Sequence, residues 1–420
     1  MIYEFLILFL SIIYMIFPEY CVVGNICTYT ISIIVATGLC CFKNKGKLRV
    51  NKKILLYILL YIILIGAPIL IHGEYMTFFK YIINFTFPIF VCCVSLNTPN
   101  KIEKFLDMII LISMIMCVFG IIEYFTSYNI WSCVQNTVMN GMMGPESYWR
   151  NGEYRIEQAF GHCTPYSIYL VAVIGIINYK LYNTVKNKIW YFIGYLLCIV
   201  NIYMTMSRAS MLLVIIMQLI FILRFDSSKT HIRSAMILII ICSVVFVFIV
   251  TPVHVLFQNN KYFSFLFSIF DTKSMGSYNT TEYRIALIAA IPKIVKGKQI
   301  FGLGLSGIPT SFTMNINGSV ESHVSIDNNY LWYYIRYGLF GVIGLLWYYI
   351  GGILLANRLK KLRCMINKTI LKRTNYIAFL TIITIIYLIS QISVAEITEY
   401  RIFVVLIGVG MAYVLNHNIE

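Results

Sequence analysis

The chain has 420 residues, 60% of them hydrophobic and only 12% charged, with a mean hydropathy of +0.80. Soluble domains carry about twice that share of charge, so the composition excludes a water-soluble enzyme and predicts an all-α polytopic membrane protein. A formal charge of +16 does not call for nucleic acid, because basic loops beside anionic lipid head groups account for it.

Apolar runs predict about 12 transmembrane helices, at 4–18, 21–42, 54–71, 78–96, 105–125, 165–181, 189–206, 209–224, 234–252, 330–354, 375–394 and 401–417. The first run carries Glu4 where a signal peptide has basic residues and lacks a small-residue cleavage site, so it is expected to stay as a span. Alternate loops, 43–53, 97–104, 180–188, 224–233 and 357–373, hold 6, 2, 3, 3 and 7 of the 33 lysines and arginines. The positive-inside rule then places both termini in the cytoplasm. Residues 1–420 read as one integral membrane domain with two long outward loops, 126–164 and 254–329. No inward loop exceeds about twenty residues, which leaves no room there for an ATPase or nucleotide-sugar domain. Of the twelve cysteines, Cys40–Cys41 and Cys92–Cys93 are adjacent pairs inside spans and read as small apolar residues. Cys133 and Cys163 share the first outward loop, where a disulfide and two free thiols are both open readings.

The polar groups worth weighing lie on the outward side. YRIEQAFGHCTPY at 154–166 compresses Arg155, Glu157 and His162 ahead of Pro165. An arginine fork suits phosphate, and a carboxylate or imidazole beside it can move a proton; the plain alternative is an interfacial cap in which Arg155 pairs with Glu157. MSRAS at 206–210 puts Arg208 at an outer hairpin tip, either facing a cavity or snorkelling to lipid phosphate. TEYRIALIAAIPKIVKGK at 281–298, apolar at 285, 288, 289 and 295, predicts a short interfacial helix ending near Pro292. That helix would hold Arg284 at the depth of a phosphate. FGLGLSG at 301–307 fits GxGxxG, but no strand precedes it. A flexible turn or a close approach of backbone to a ligand therefore replaces dinucleotide binding. In ESHVSIDNNYLWYYIRYGLFGVIG at 321–344, His323 suits a base near neutral pH, while Asp327 and Asn328 stand where a helix needs its cap.

Four of these segments, RIEQAFGHCTP at 155–165, SRAS at 207–210, YRIALIAAIPKIVKGKQIFGLG at 283–304 and HVSIDNNYLWYYIRYGLFGVIG at 323–344, resemble in order those of the Wzy-type O-antigen and capsular polysaccharide polymerases and the O-antigen ligases. The resemblance implies a metal-independent, inverting glycosyltransferase of the bacterial cytoplasmic membrane that needs no cofactor. It would polymerise undecaprenyl-pyrophosphate-linked repeat units at the outer leaflet into O-antigen, capsule or exopolysaccharide. Arg155, Arg208 and Arg284 would bind pyrophosphate, helped by His162, Asn328 and Arg336, and His323 or Asp327 would take the acceptor proton. Partners would be the lipid-linked oligosaccharides, membrane lipids, a flippase and a chain-length regulator, with no nucleic acid. One departure stands out: relatives often carry an acidic residue shortly before the glycines of the late helix, where this chain has Arg336. A ligase acting on another acceptor is the alternative within the family. A lipid-linked-sugar flippase or transporter is the alternative outside it, although no internal repeat is visible and the polar groups gather outside rather than at the midplane.

Overall fold

The computed structural model describes residues 2–23, 26–45, 51–134, 149–150, 153–183, 188–224, 280–309, 311–316, 319–323, 326, 328–366, 375–392 and 400–415. In chain order its helices are α1 Ile2–Ile16, α2 Thr28–Lys43, α3 Lys52–Ile71, α4 Tyr75–Ser95, α5 Pro99–Thr126, α6 Cys163–Asn183, α7 Lys188–Met204, α8 Arg208–Arg224, α9 Thr280–Ile294, α10 Asn329–Leu346, α11 Gly352–Ile366, α12 Asn375–Ser390 and α13 Tyr400–Leu415. A single π turn, Trp347–Gly351, runs α10 into α11. Among the described residues, α3, α4, α5 and the continuous stretch Asn329–Leu359 are long and apolar enough to cross a membrane, and several shorter apolar helices accompany them. Each predicted span contains a described helix except 234–252, which lies outside the described residues.

Local chemistry sets the helix starts. Asn51 accepts from Lys53 N ahead of α3, and Thr98 accepts from Lys101 N ahead of α5, where Pro99 takes the first helical position. The span predicted from residue 21 begins later than expected. Val22–Val23 and Ile26–Cys27 form β1 and β2, a two-stranded antiparallel ladder, and helix starts only at Thr28. Trp149–Arg150 and Glu153–Tyr154 (β3, β4) and Phe312–Ile316 and Ser319–His323 (β5, β6) form two further antiparallel pairs. Each pair leaves two residues between its strands: Gly24-Asn25, Asn151-Gly152 and Asn317-Gly318.

Helices α6 and α13 are buried on nearly every side and form the centre of the bundle. Charges mark one end of it. Lys101 reaches Glu4 at 2.9 Å, and Lys43 pairs with the same carboxylate. Lys180, fully buried, sits 2.6 Å from Glu103 and 2.9 Å from Asp107. The opposite end gathers the α3–α4 turn, the C-terminal end of α5 and the N-terminal ends of α6, α8 and α10. Fully buried Arg401 at the start of α13 also lies there, donating to the carbonyls of Tyr14 (3.2 Å) and Phe17 (2.6 Å) at the close of α1.

Helix α10 is broken at that end. Gly338 has φ 63 and ψ −155, so the helical ladder stops and restarts around it. Segment 299–304 takes up the freed peptide groups. Leu303 N and Gly304 N donate to Ile335 O (2.8 Å) and Arg336 O (3.0 Å), and Leu339 N and Phe340 N donate to Gln299 O (2.8 Å) and Ile300 O (3.3 Å). Only glycine fits at the crossing, since a Cβ on Gly338 would lie 2.3 Å from Ile300 O and one on Gly302 2.5 Å from Arg336 C. The GxGxxG segment thus approaches another stretch of backbone closely, where the sequence suggested a flexible turn or an approach to a ligand. Gly338→Ala is expected to cost at least about 3 kcal/mol, from left-handed strain and steric overlap together. Gly38→Ala, whose Cβ would meet nothing within 4 Å, is the comparison. Detergent-solubilised thermal melts read both; equal melting of the two variants would contradict the backbone exchange.

Candidate functional site

The first cluster is built on Glu123, one turn from the end of α5 and fully buried. Its carboxylate accepts from Glu157 N (3.0 Å), Gln158 N (3.2 Å), the Gln158 side-chain amide and the Tyr154 hydroxyl (3.2 Å). Burial, with the two nearby carboxylates, pushes the Tyr154 phenol well above its usual range, so it stays a donor. Four donors converging on one carboxylate hold residues 154–160 against the bundle, with Gln158 in a left-handed conformation at φ 49. Glu157 is fully buried, its Oε1 accepting from Asn129 Nδ2 at 3.3 Å. Arg155 turns the other way: its Nε donates to Thr205 O at 2.9 Å, in the turn between α7 and α8. The Arg155–Glu157 pairing weighed from sequence is therefore replaced by two separate contacts.

That turn is the MSRAS tip. Met206 adopts φ 50, and Ser210 Oγ bonds both Ser207 Oγ (3.0 Å) and Ser167 Oγ (2.6 Å) of α6. Arg208 is the first residue of α8; its side chain lies outside the described set. His162 stands just before α6, and its Nδ1 accepts from Thr164 N at 3.1 Å, the geometry of a helix N-cap. Burial, and secondarily the Arg155 charge, lower its pKa to about 4. The ring is neutral at pH 7, and with Nδ1 accepting, its proton sits on Nε2, which makes that atom a donor.

The second cluster surrounds the break in α10. Helix α9 packs Leu287, Ile291 and Val295 onto Ile335, with Leu331 and Trp332 alongside. It ends at Ile294, and Leu287, Ile291 and Val295 just beyond it form a buried stripe; of the apolar positions read from sequence, 295 is buried in that stripe and Ile288 is exposed. Asn328 caps α10, its side chain accepting from Leu331 N at 3.1 Å, and Asn329 Nδ2 donates to Gln391 Oε1 at 2.6 Å. Arg336 points inward. It faces Glu74 at 3.9 Å and lies 5.1 Å from the Tyr337 ring, with its side chain only 13% exposed. Asp327 lies outside the described residues. So do the side chains of Arg284, on α9, and of His323, whose backbone in β6 pairs with Phe312. Cys133 and Cys163 are free thiols.

The four sequence segments thus meet in pairs, 155–165 with 207–210 and 283–304 with 323–344. Both pairs lie at the same end of the bundle. Gln391, at the close of α12, holds Asn329, while the other end of α12 packs Tyr376 and Phe379 on Tyr179 near the close of α6. The starts of α6 and α10 therefore share a level. Sequence reading missed Glu123 and Glu74. The available signals were an acid inside the apolar run IIEYF and another in the short turn HGEY.

His162 offers a separable test. His162→Asn keeps an acceptor for Thr164 N but removes the Nε2 donor, whereas His162→Gln does the reverse. The asparagine variant is expected to preserve thermal stability while lowering activity, and the glutamine variant to lose about 1 kcal/mol of helix capping. A histidine buried neutral destabilises the fold as pH falls from its unfolded value near 6.5 through about 4, so His162→Asn should flatten the stability–pH curve in that window. Identical melts and activities for both variants would remove the cap-and-donor assignment.

Residues 193–346 match the family model described as O-Antigen ligase, a range that runs from α7 through the hairpin tip and α9 to the end of α10. A search of curated proteins finds no match to the chain. The chain is a multi-pass membrane protein whose residues 193–346 are similar to the O-antigen ligase family.

Proposed function

We propose that this protein is a metal-independent, inverting glycosyltransferase that joins undecaprenyl-pyrophosphate-linked repeat units at the outer leaflet of the bacterial cytoplasmic membrane, building a surface polysaccharide. The observation that supports it most is the gathering of all four segments at the end of the bundle opposite its charged belt, with Arg155 anchored through Nε to the turn that opens into Arg208. Anchoring by Nε fixes the guanidinium plane and directs its two Nη groups, the geometry that holds two phosphate oxygens at once.

In the proposed reaction an acceptor-sugar hydroxyl attacks the anomeric carbon of the lipid-linked glycan. The new C–O bond forms as the bond to pyrophosphate breaks on the opposite face, inverting the centre. The departing pyrophosphate carries the electron pair, neutralised by Arg155, Arg208 and Arg284, and His162 contributes a neutral donor. His323 or Asp327 takes the hydroxyl proton. Asn328 acts by capping α10 and so placing the residues around it. The sugar is activated before it crosses the membrane, so no nucleotide takes part. A flippase supplying the units and a chain-length regulator are the partners such a cycle calls for.

The description of the matched family gives the second reading, transfer of finished glycan to a different acceptor. Size-resolved surface glycan from a deletion strain separates them: a ladder reduced to single repeats supports polymerisation, while full-length glycan stranded on carrier lipid supports ligation. Within the complemented strain, Arg155→Lys, Arg208→Lys and Arg284→Lys are each expected to lower turnover on the order of 100-fold or more, because lysine keeps charge but loses the fork. Arg358→Lys, on helix α11, should be silent. Wild-type glycan length from Arg208→Lys combined with Arg284→Lys would sink the pyrophosphate clamp.

A further inference from the structure

The break in α10 is gripped by a third element, the turn between α3 and α4. His72 Nε2 lies 3.1 Å from Phe301 O, and Glu74 Oε1 accepts Leu305 N. The other carboxylate oxygen of Glu74 stands 3.9 Å from Arg336 Nη2, beyond hydrogen-bond distance. That oxygen, Arg336 Nε and the Tyr337 hydroxyl are all buried with no hydrogen-bond partner among the described residues. Buried charges paired this loosely rarely recover their desolvation cost, so folding stability does not explain the carboxylate. What the carboxylate does is join the α3–α4 hairpin to segment 299–305 and, through it, to α9. Leu303 of that segment packs in the same small core as Leu287 and Ile291 of α9 and Val295 just after it. Arg284 lies on α9, one turn before Leu287.

We propose that Glu74 is a positioning residue: by accepting Leu305 N it fixes segment 299–305, and with it α9 and Arg284, in the place the glycosyl transfer requires. The assignment rests on the reaction proposed above, and Glu74 itself touches no reacting atom. The paired charges of Glu74 and Arg336 also make this spot close to neutral overall, so its role is mechanical coupling rather than anion binding.

Full-length protein in lipid nanodiscs allows hydrogen exchange over 299–305 and turnover of the cell's own lipid-linked repeat units to be read separately. Glu74→Ala is expected to speed exchange of the Leu303, Gly304 and Leu305 amides about tenfold or more, with α6 and α13 unchanged as the fold check. It should lower kcat about 100-fold while leaving KM for the repeat unit within about threefold. Glu74→Gln keeps an acceptor for Leu305 N and should retain about a tenth or more of wild-type kcat. Gly304→Ala should reproduce Glu74→Ala without altering any charge, since its Cβ would lie 2.6 Å from His72 Cγ and 3.0 Å from Glu74 Oε1. Gly297→Ala carries comparable left-handed strain at φ +84 but meets nothing within 4 Å, and should behave as wild type. Unchanged exchange in Glu74→Ala and Gly304→Ala would overturn the proposal. Equal loss of kcat in the Gln and Ala variants would overturn it as well, because carboxylate chemistry would then outweigh positioning. A wild-type protein that elongates no repeat units would instead overturn the polymerase reading, and the exchange rates alone would then decide whether Glu74 holds the segment.

Discussion

Inside hydrocarbon each unpaired peptide group costs several kcal/mol, and the break at Gly338 presents four of them, the carbonyls of Ile335 and Arg336 and the amides of Leu339 and Phe340. The arrangement of the late helices follows from meeting that demand. Residues 299–304 must run against the break, which forces glycine at 302 and 338 and brings the chain on either side of them to the bundle end. Helix α9 is then close enough to bury 287, 291 and 295 on α10. A long loop becomes a structural element because a helix needs its hydrogen bonds.

Glu123 performs the corresponding task for the earlier outward segment. A carboxylate at the end of an apolar helix carries a heavy desolvation cost unless donors converge on it, and here two backbone amides, one side-chain amide and one phenol do so. Satisfying Glu123 therefore dictates the path of 154–160, including the left-handed Gln158, and that path delivers Arg155 to the α7–α8 turn. Both clusters follow one rule: polar backbone at the membrane boundary is placed by the side chains and glycines that satisfy it.

Much of the helical layout was legible, because runs of apolar residues punctuated by basic loops admit few alternatives. Three antiparallel strand pairs were not recognised, although the sequences between their strands, Gly24-Asn25, Asn151-Gly152 and Asn317-Gly318, are rich in turn-forming residue types. In a chain this apolar the hydropathy signal swamps a two-residue turn signal, and strands of two to five residues have no periodicity to detect. Helix α9 ends at Ile294, two residues past the expected Pro292, because a helix tolerates the loss of one donor near its final turn better than in its middle. Glu74 and Glu123 were invisible for a different reason. Their importance lies in partners 231 and 31–35 residues away, a separation that no local pattern encodes. The cap at Asn328 was readable because its partner, Leu331, is three residues on.

The same geometry changes the balance of charge in the proposed site. Arg336 looked from sequence like one more cation for an anionic substrate, but Glu74 faces its guanidinium, and two aromatic rings flank it. A guanidinium facing a carboxylate offers a pyrophosphate little net attraction, since the two charges nearly cancel at the distance of a bound ligand. His162, neutral with its pKa near 4, adds a donor but no charge. In the proposed reaction, neutralising the leaving group therefore falls to Arg155, Arg208 and Arg284, which stand on two separate parts of the chain. Arg155 and Arg208 are tied to one another through the Thr205 carbonyl and the turn that follows it, whereas Arg284 belongs to the assembly around α10. A clamp whose jaws belong to different assemblies works only if each is held rigidly at its own base. That requirement gives a physical reason for the dense network at Glu123 on one side and the glycine crossing on the other.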